Sequence, residues 1–385
     1  MFPSARDDDR VIDRLQRDAA AAPDVLSLSG GLPAQSLFPR RVIAAATLHA
    51  LGQANCAALQ YGWPEGAPEL RAWIAARLAG RGAKVTPDDV IVTSGAQQAI
   101  ALAVDAVLTR GDRVSVDAES YPAALDLFRA RGLVPTTSIA TSLAYVMPGV
   151  GNPRGAGVDR RRLGAIVQSG APIIADEAYA ELRFDGVVEA PLFIEAPDRT
   201  FHVGTFSKTV CPGFRIGWLI PPRARRADVL RLKAGADLQA NSLSQSILSG
   251  MVGSWDYDAH LSRARRVYAR RADALLTAAR RWLPSSFHVV EPEGGFSIYV
   301  ETDTEGDDAE LLRIAARFGT SFDPGRLFRA ERGAPLSFRL CHSSIRPKSI
   351  DEAVRRLARA FEVFRRDTNA RRYATVSEAF TPEGA

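Results

Sequence analysis

Two strand–turn–helix units in succession constrain this chain more than anything else in it. Val90-Ile91-Val92-Thr93 has the β-branched, apolar make-up of a buried strand, Ser94-Gly95-Ala96-Gln97-Gln98 is a turn of small and polar residues, and residues 99–108 are strongly helical. Arg113-Val114-Ser115-Val116 repeats the strand, residues 117–122 the loop, and a helix reaches Arg131. Strands separated by helices pair in parallel, because a parallel return needs a crossover of about a dozen residues. Two more apolar runs, residues 144–147 and 172–175, continue the pattern. The fold class is therefore α/β, a mostly parallel mixed sheet sandwiched by helices. Ligands of such sheets sit at the carboxyl ends of the strands.

A chain of 385 residues exceeds one small core, and its character changes after Trp218. Residues 225–282 are largely helical. Strands at 288–290, 295–300 and 336–341 and helices at 309–318 and 349–363 follow, which describes a smaller α/β domain. The expected division is an N-terminal arm with part of the small domain (1–45), a large domain (46–240), a small domain (241–365) and a mobile polar tail (366–385).

Composition narrows the function classes. The net charge of +5 comes from arginines spread along the chain, so no nucleic-acid partner is expected. Cys56, Cys211 and Cys341 are too few and too scattered for a disulfide framework or a zinc site, and the five histidines lack metal spacing, so no metal is expected. The charged N-terminus lacks the apolar core of a signal peptide, and no apolar run reaches spanning length. A cytoplasmic protein with no membrane partner is the expectation.

Chemistry concentrates at the ends of the strands. In Gly204-Thr205-Phe206-Ser207-Lys208-Thr209-Val210-Cys211-Pro212-Gly213-Phe214-Arg215, one lysine lies among small, weakly polar residues. Poor solvation disfavours its ammonium form and turns it into a nucleophile towards carbonyls. Ser207 and Arg215 supply a hydroxyl and a cationic fork for an anion. That combination suits a lysine imine to pyridoxal phosphate, a cofactor with its own phosphate handle. The 94–97 turn adds an anion cradle at a helix N-terminus. Asp176 ends an apolar strand, where a carboxylate is poorly solvated unless it meets a cation such as a protonated pyridine nitrogen; a helix cap is the alternative. Tyr179, three residues on, offers a hydroxyl to the ring, and Tyr121 a flat face for stacking. Ser29-Gly30-Gly31-Leu32-Pro33 and Leu59-Gln60-Tyr61-Gly62-Trp63-Pro64-Glu65-Gly66 are loops of the kind that line a site or an interface.

Together with Asn152-Pro153-Arg154-Gly155, Asp176-Glu177-Ala178-Tyr179 and Ser337-Phe338-Arg339-Leu340, these stretches resemble the fold-type I, pyridoxal-phosphate-dependent class I/II aminotransferases. The similarity is greatest to the branch of 2-aminoadipate aminotransferase, kynurenine aminotransferase II and the MocR-like regulators, over roughly residues 10–365. The resemblance implies that Lys208 forms the internal aldimine and then serves as base. Asp176 pairs with the pyridinium nitrogen, Asn152 and Tyr179 with the phenolic oxygen, and Tyr121 stacks on the ring. Ser94, Gly95, Ala96, Gln97, Thr205, Ser207 and Arg215 hold the phosphate, joined by Tyr61 of a neighbouring subunit. Arg339 clamps the substrate α-carboxylate, with Asn152 and Gly31 against the substrate. The implied reaction moves an amino group from an α-amino acid to a 2-oxo acid through pyridoxamine phosphate, in a homodimer with shared sites. Alternatives on the same scaffold are elimination, decarboxylation, oxidation or cyclisation of an amino acid. A ligand-sensing regulator is less favoured, since about twenty-five residues precede Ser29 and a winged-helix domain needs more.

Two departures stand out. Gly151 and Arg154 flank the Asn-Pro pair where relatives carry a polar residue before it and Thr after it. Residues 134–146 leave little room for the crossover helix usual in the family.

Overall fold

The computed structural model describes residues 24–54, 57–331 and 335–379, with Arg14 and Ala22. The start of the expected N-terminal arm, residues 1–13, 15–21 and 23, lies outside them, as do Cys56 and residues 380–385. After the short strand β1 (Leu26–Ser27) and helices α1 (Arg40–Leu51) and α2 (Pro68–Ala79), the chain builds a seven-stranded sheet. Its strands are β2 (Ile91–Thr93), β3 (Arg113–Ser115), β4 (Val134–Thr136), β5 (Leu143–Val146), β6 (Ile173–Asp176), β7 (Thr200–Thr205) and β8 (Gly217–Ile220). In space they run β2-β8-β7-β6-β5-β3-β4, all parallel except β8, which is antiparallel to both its neighbours.

Helices α3 (Ala96–Asp105), α4 (Pro122–Ala130) and α5 (Arg160–Gln168) are the crossovers. The central strands β5, β6 and β7 are buried on both faces, and their side chains divide with period two. Tyr145 and Ile174 enter the main core, while Ala144, Val146, Ile173 and Ala175 turn to the other side and pack with Ile166 of α5. Asp159 caps α5 by accepting a hydrogen bond from the Arg162 amide at 2.9 Å. The connection from β4 to β5 crosses β3 through residues 137–142 without a helix, as the shortness of this stretch foretold. It is held locally: the Thr141 hydroxyl bonds the carbonyls of Ile139 and Leu143, and Ile139 packs against the cluster around Ile166.

Helices α6 (Arg226–Asp237), α7 (Ser242–Ser254) and α8 (Tyr257–Trp282) follow. The first part of α8, with Tyr257, Leu261, Ala264 and Tyr268, belongs to the core of the large sheet. Leu275, Ala278 and Ala279 belong to a second core. That core lies between a four-stranded antiparallel sheet and two helices, α9 (Asp308–Arg317) and α10 (Ile350–Ala379). The sheet runs β12 (Asp323–Pro324), β13 (Ser337–Cys341), β10 (Ser297–Glu301), β9 (His288–Val290). β1 pairs in parallel with β11 (Thr320–Ser321), which ties the start of the described chain to this unit. In β13, Phe338 and Leu340 enter the second core and Arg339 takes the opposite face.

Helix α10 runs past residue 363, where the sequence pattern ends it, and continues to Ala379. No Gly or Pro interrupts residues 350–379, and Arg and Ala, both strong helix formers, are frequent there. No helix among the described residues is long and apolar enough to cross a membrane.

Candidate active site

The carboxyl ends of β5, β6 and β7 open into one cavity of about 480 Å³. It is lined by Ala96, Gln97, Tyr121, Met147, Asn152, Asp176, Ala178, Tyr179, Thr205, Ser207, Lys208 and Arg215. Residues from six sequence stretches therefore meet, and β8 is what gathers two of them. Gly217 pairs with Thr93 on one side and Thr205 on the other. A Cβ at Gly217 would lie 2.7 Å from the Gly204 oxygen, 2.8 Å from the Gly95 carbonyl carbon and 2.9 Å from the Ala96 nitrogen. Only a residue without a side chain lets the 94–97 turn come this close to the start of the 205–208 turn.

At the phosphate-sized end, α3 begins on Gly95 with no side-chain cap. Its first amides are thus left for another acceptor. Gly95 has φ of 87°, and a Cβ there would sit 2.8 Å from Arg215 Nη2, so the turn lies directly beside the guanidinium. Arg215 itself adopts the left-handed conformation, φ 53°, at the end of a short turn. Holding a non-glycine residue there costs about 1–2 kcal/mol. It aims Nη1 at the Ser207 hydroxyl, 3.4 Å away. Thr205 Oγ1 donates to Ser207 Oγ at 3.0 Å and accepts from the Ser207 amide. Ser94 faces away from the cavity: its hydroxyl donates to Asp237, as does the Gln98 amide. Lys233, fully buried, completes that support with a 2.7 Å bond to Asp237.

The centre of the cavity carries two ionisable groups, Lys208, half-buried, and Asp176, buried. Lys208 Nζ lies over the rings of Tyr179 and Phe296, 5.4 and 5.9 Å from their centroids. Burial pushes its ammonium below the ordinary lysine range; nearby Arg339 adds to this, while Tyr121 and Asp176 oppose it. Asp176 is 2% exposed. Burial raises its carboxyl, against the Tyr145 hydroxyl, which donates to it at 2.8 Å, and the Ala178 amide. It caps no regular helix. Burial raises the Tyr121 and Tyr179 hydroxyls too, so both stay protonated donors at neutral pH.

At the rim, Arg339 Nη1 donates to Asn152 Oδ1 at 2.6 Å. A Cβ on Gly31 would lie 3.3 Å from both Nη1 and Nη2, which puts Gly31 over the guanidinium face. Gly31 and Arg339 thus adjoin the cavity through Asn152. Tyr61 does not: it is 79% exposed and far from lining its own chain's cavity. Arg154 points elsewhere, bridging Glu119 and Glu301.

The reading of the sequence missed Tyr145, Asp237 and Asp323. A tyrosine inside an apolar strand signals that its hydroxyl needs a buried partner. Asp237 and Asp323 carry no local signal, since an aspartate near a helix end or before Pro-Gly reads as a cap or a turn.

Comparison with known proteins agrees with this geometry. The family model for aminotransferase class I and II matches residues 23–142 and 142–357. The chain belongs to that family. It is 31% identical over 367 residues to the 2-aminoadipate transaminase of Thermus thermophilus, covering 88% of this chain and 91% of that protein. Among solved structures it resembles LysN, the α-aminoadipate aminotransferase of Thermus thermophilus complexed with N-(5'-phosphopyridoxyl)-L-leucine. There the TM-score is 0.82 with 30% identity over 90% of this chain and 94% of that one. The kynurenine aminotransferase of Pyrococcus horikoshii gives a TM-score of 0.84 with 28% identity, over 91% and 94%. The protein is a pyridoxal-phosphate-dependent aminotransferase of fold type I. The cavity suits that cofactor: an uncapped helix N-terminus and Arg215 for a dianion, a buried carboxylate, and an amine whose charge is weakened.

Proposed function

We propose that the cavity works as one transamination site with the following division of roles. Lys208 Nζ is the covalent anchor of pyridoxal phosphate and the base that carries the proton from the donor's Cα. Asp176 keeps a proton on the ring nitrogen, with Tyr145 orienting its carboxylate. Bound there, the cofactor supplies an electron sink for the carbanion left when the Cα–H bond breaks. Asn152 and Tyr179 donate to the ring oxygen, and Tyr121 covers a ring face. Gly95, Ala96 and Gln97 offer backbone amides to the phosphate, Thr205 and Ser207 hydroxyls, and Arg215 a charge-assisted fork; Ser94 positions that turn through Asp237. Arg339 takes the substrate carboxylate beside Asn152 and Gly31, which turns the Cα–H bond towards Lys208 and raises its effective concentration there.

The observation that carries this reading is the meeting of Lys208 and Asp176 in a cavity whose far wall is the uncapped start of α3. Absorbance tests it. The holoenzyme is expected to show a lysine-linked cofactor band that amino donors, 2-aminoadipate and kynurenine first among them, convert to the amine form. Lys208→Ala is expected to lose the band; a variant that keeps it overturns the assignment of Lys208.

We further propose a cytoplasmic homodimer in which Tyr61 completes the partner's phosphate site. Leu48, Leu51, Leu59, Tyr61, Trp63 and Leu238 are all exposed large apolar residues. We infer that they form one face, since α1 and the 57–59 turn both pack on α7 and the Gly62 amide donates to Gln239. Asp237, the residue before Leu238, bonds the phosphate turn through Ser94 and Gln98, so this face borders that turn. Cys211 and Cys341 are free thiols, as suits a reducing compartment.

A further inference from the structure

Arg339 already has a carboxylate. Its Nε and Nη2 donate to Asp323 Oδ2 at 2.8 and 2.7 Å, so the whole inner edge of the guanidinium is taken by this chain. The pair is shielded, with side chains 10% and 5% exposed. Asp323 is itself fixed: the Gly30 amide lies 3.1 Å from both of its oxygens, and β12 pairs with β13 so that Asp323 and Arg339 are direct neighbours. The guanidinium is packed as well, against Phe328, whose ring centroid is 4.8 Å from Cζ, and against Gly31. What remains for a ligand is the outer edge, one N–H on each terminal nitrogen, next to Asn152.

A guanidinium answered in this way is a geometric clamp with little net charge. A carboxylate arriving at the outer edge meets the attraction of Arg339 and the repulsion of Asp323 behind it. Both act at low dielectric, where charges a few ångströms apart interact strongly. A ligand without a carboxylate gives up correspondingly less by leaving that edge empty, because Arg339 keeps its partner.

We propose that Asp323 is a specificity-determining residue that compensates Arg339, so that the site selects only weakly for the donor's α-carboxylate and admits primary amines that lack one. This rests on the role given above to Arg339 as the carboxylate clamp.

Matched ligands test it on the holoenzyme by calorimetry: 4-methylpentanoate against 4-methylpentanamide. The wild type is expected to prefer the carboxylate by less than ~10-fold, and Asp323→Asn, which keeps the shape and removes the charge, to bind the carboxylate ~10-fold or more tighter with the amide unchanged. Leucine against 3-methylbutylamine in the absorbance assay is expected to follow, the ratio of their kcat/KM values rising in the variant. A wild-type preference above ~100-fold overturns the proposal, and needs no variant to fold. So does a variant whose carboxylate affinity is unchanged or weaker, or no measurable carboxylate binding to either protein. Calorimetry reads no nitrogen transfer. A holoenzyme that binds as expected but never forms the amine state therefore counts against the catalytic roles and leaves Asp323 as the counter-ion.

Discussion

His342 follows Cys341 in the chain and faces away from the cofactor cavity, fully buried, with neither ring nitrogen hydrogen-bonded among the described residues. Its surroundings are the rings of Phe184 and Tyr268 and the cation of Arg271, which itself donates to the Ser343 carbonyl. Burial first, and Arg271 second, push its pKa down from 6.5 to about 3. The unfolded chain therefore binds a proton between pH 6.5 and 3 that the folded chain refuses, and stability falls as pH falls across that window. Each pH unit costs about 1.4 kcal/mol, so roughly 3 kcal/mol is lost by pH 4 from this residue alone. His342→Phe is expected to reduce the fall in thermal midpoint between pH 7 and pH 4; equal falls in both proteins would remove His342 as its cause. The same scale shows what was legible in the sequence. Lys208, Asp176 and Arg215 carry their chemistry in their immediate neighbours, a lysine among small residues, a carboxylate ending an apolar strand, an arginine after Pro-Gly. Tyr145 and Asp323 acquire meaning only from partners 31 and 16 positions away, which no local pattern displays.

Among the elements, β8 does more for the site than any strand that ends in a functional side chain. It is the one strand of the large sheet that runs against its neighbours, and Gly217 at its start touches backbone on both sides. Gly217→Ala places a methyl within 2.7–2.9 Å of three main-chain atoms, which cannot yield as a side-chain tip can. The expected result is a loss of about 1–3 kcal/mol in stability and a wider gap between the 94–97 and 205–208 turns. Cofactor affinity, titrated by absorbance, is expected to fall ~10-fold or more, since several phosphate donors are displaced together. Unchanged affinity would mean the two turns are held by something other than β8. Strands and helices themselves were well marked in the sequence, because buried parallel strands are continuous apolar runs and the crossovers have strong helical patterns. The end of α10 was not, because a polar segment rich in Arg and Ala reads equally well as a solvated tail. The place where packing passes from one core to the other was hidden too: it falls within α8, whose alanine-rich sequence continues unbroken across it.

On the scale of the molecule, the decisive surface is the apolar face formed by α1, the 57–63 loop and Leu238. Trp63 is 78% exposed and Leu59 67%, although each is large enough to dominate a core or an interface. Leu238 takes a positive φ of 59° to stand there, 61% exposed. Scattered singly, such residues mean little; gathered beside the phosphate turn, they fit a two-fold contact in which each subunit covers the other's site. In such a contact one substitution acts twice. Trp63→Asp brings two carboxylates into a desolvated patch, where an unpaired charge is costly enough to prevent closure. Sedimentation is expected to show a dimer for the wild type and monomers for the variant. Its cofactor affinity is expected to drop with the loss of the partner's tyrosine. Tyr61→Phe separates the two effects: it keeps the apolar face, so it is expected to remain dimeric and to lose only the hydroxyl's share of phosphate binding, about 0.5–1.5 kcal/mol or a few-fold in affinity. Val187→Asp, at an exposed valine on the 183–190 loop, controls for a new surface charge and is expected to change neither. A Trp63→Asp protein that stays dimeric with full cofactor affinity would move the interface elsewhere and leave the exposed face unexplained.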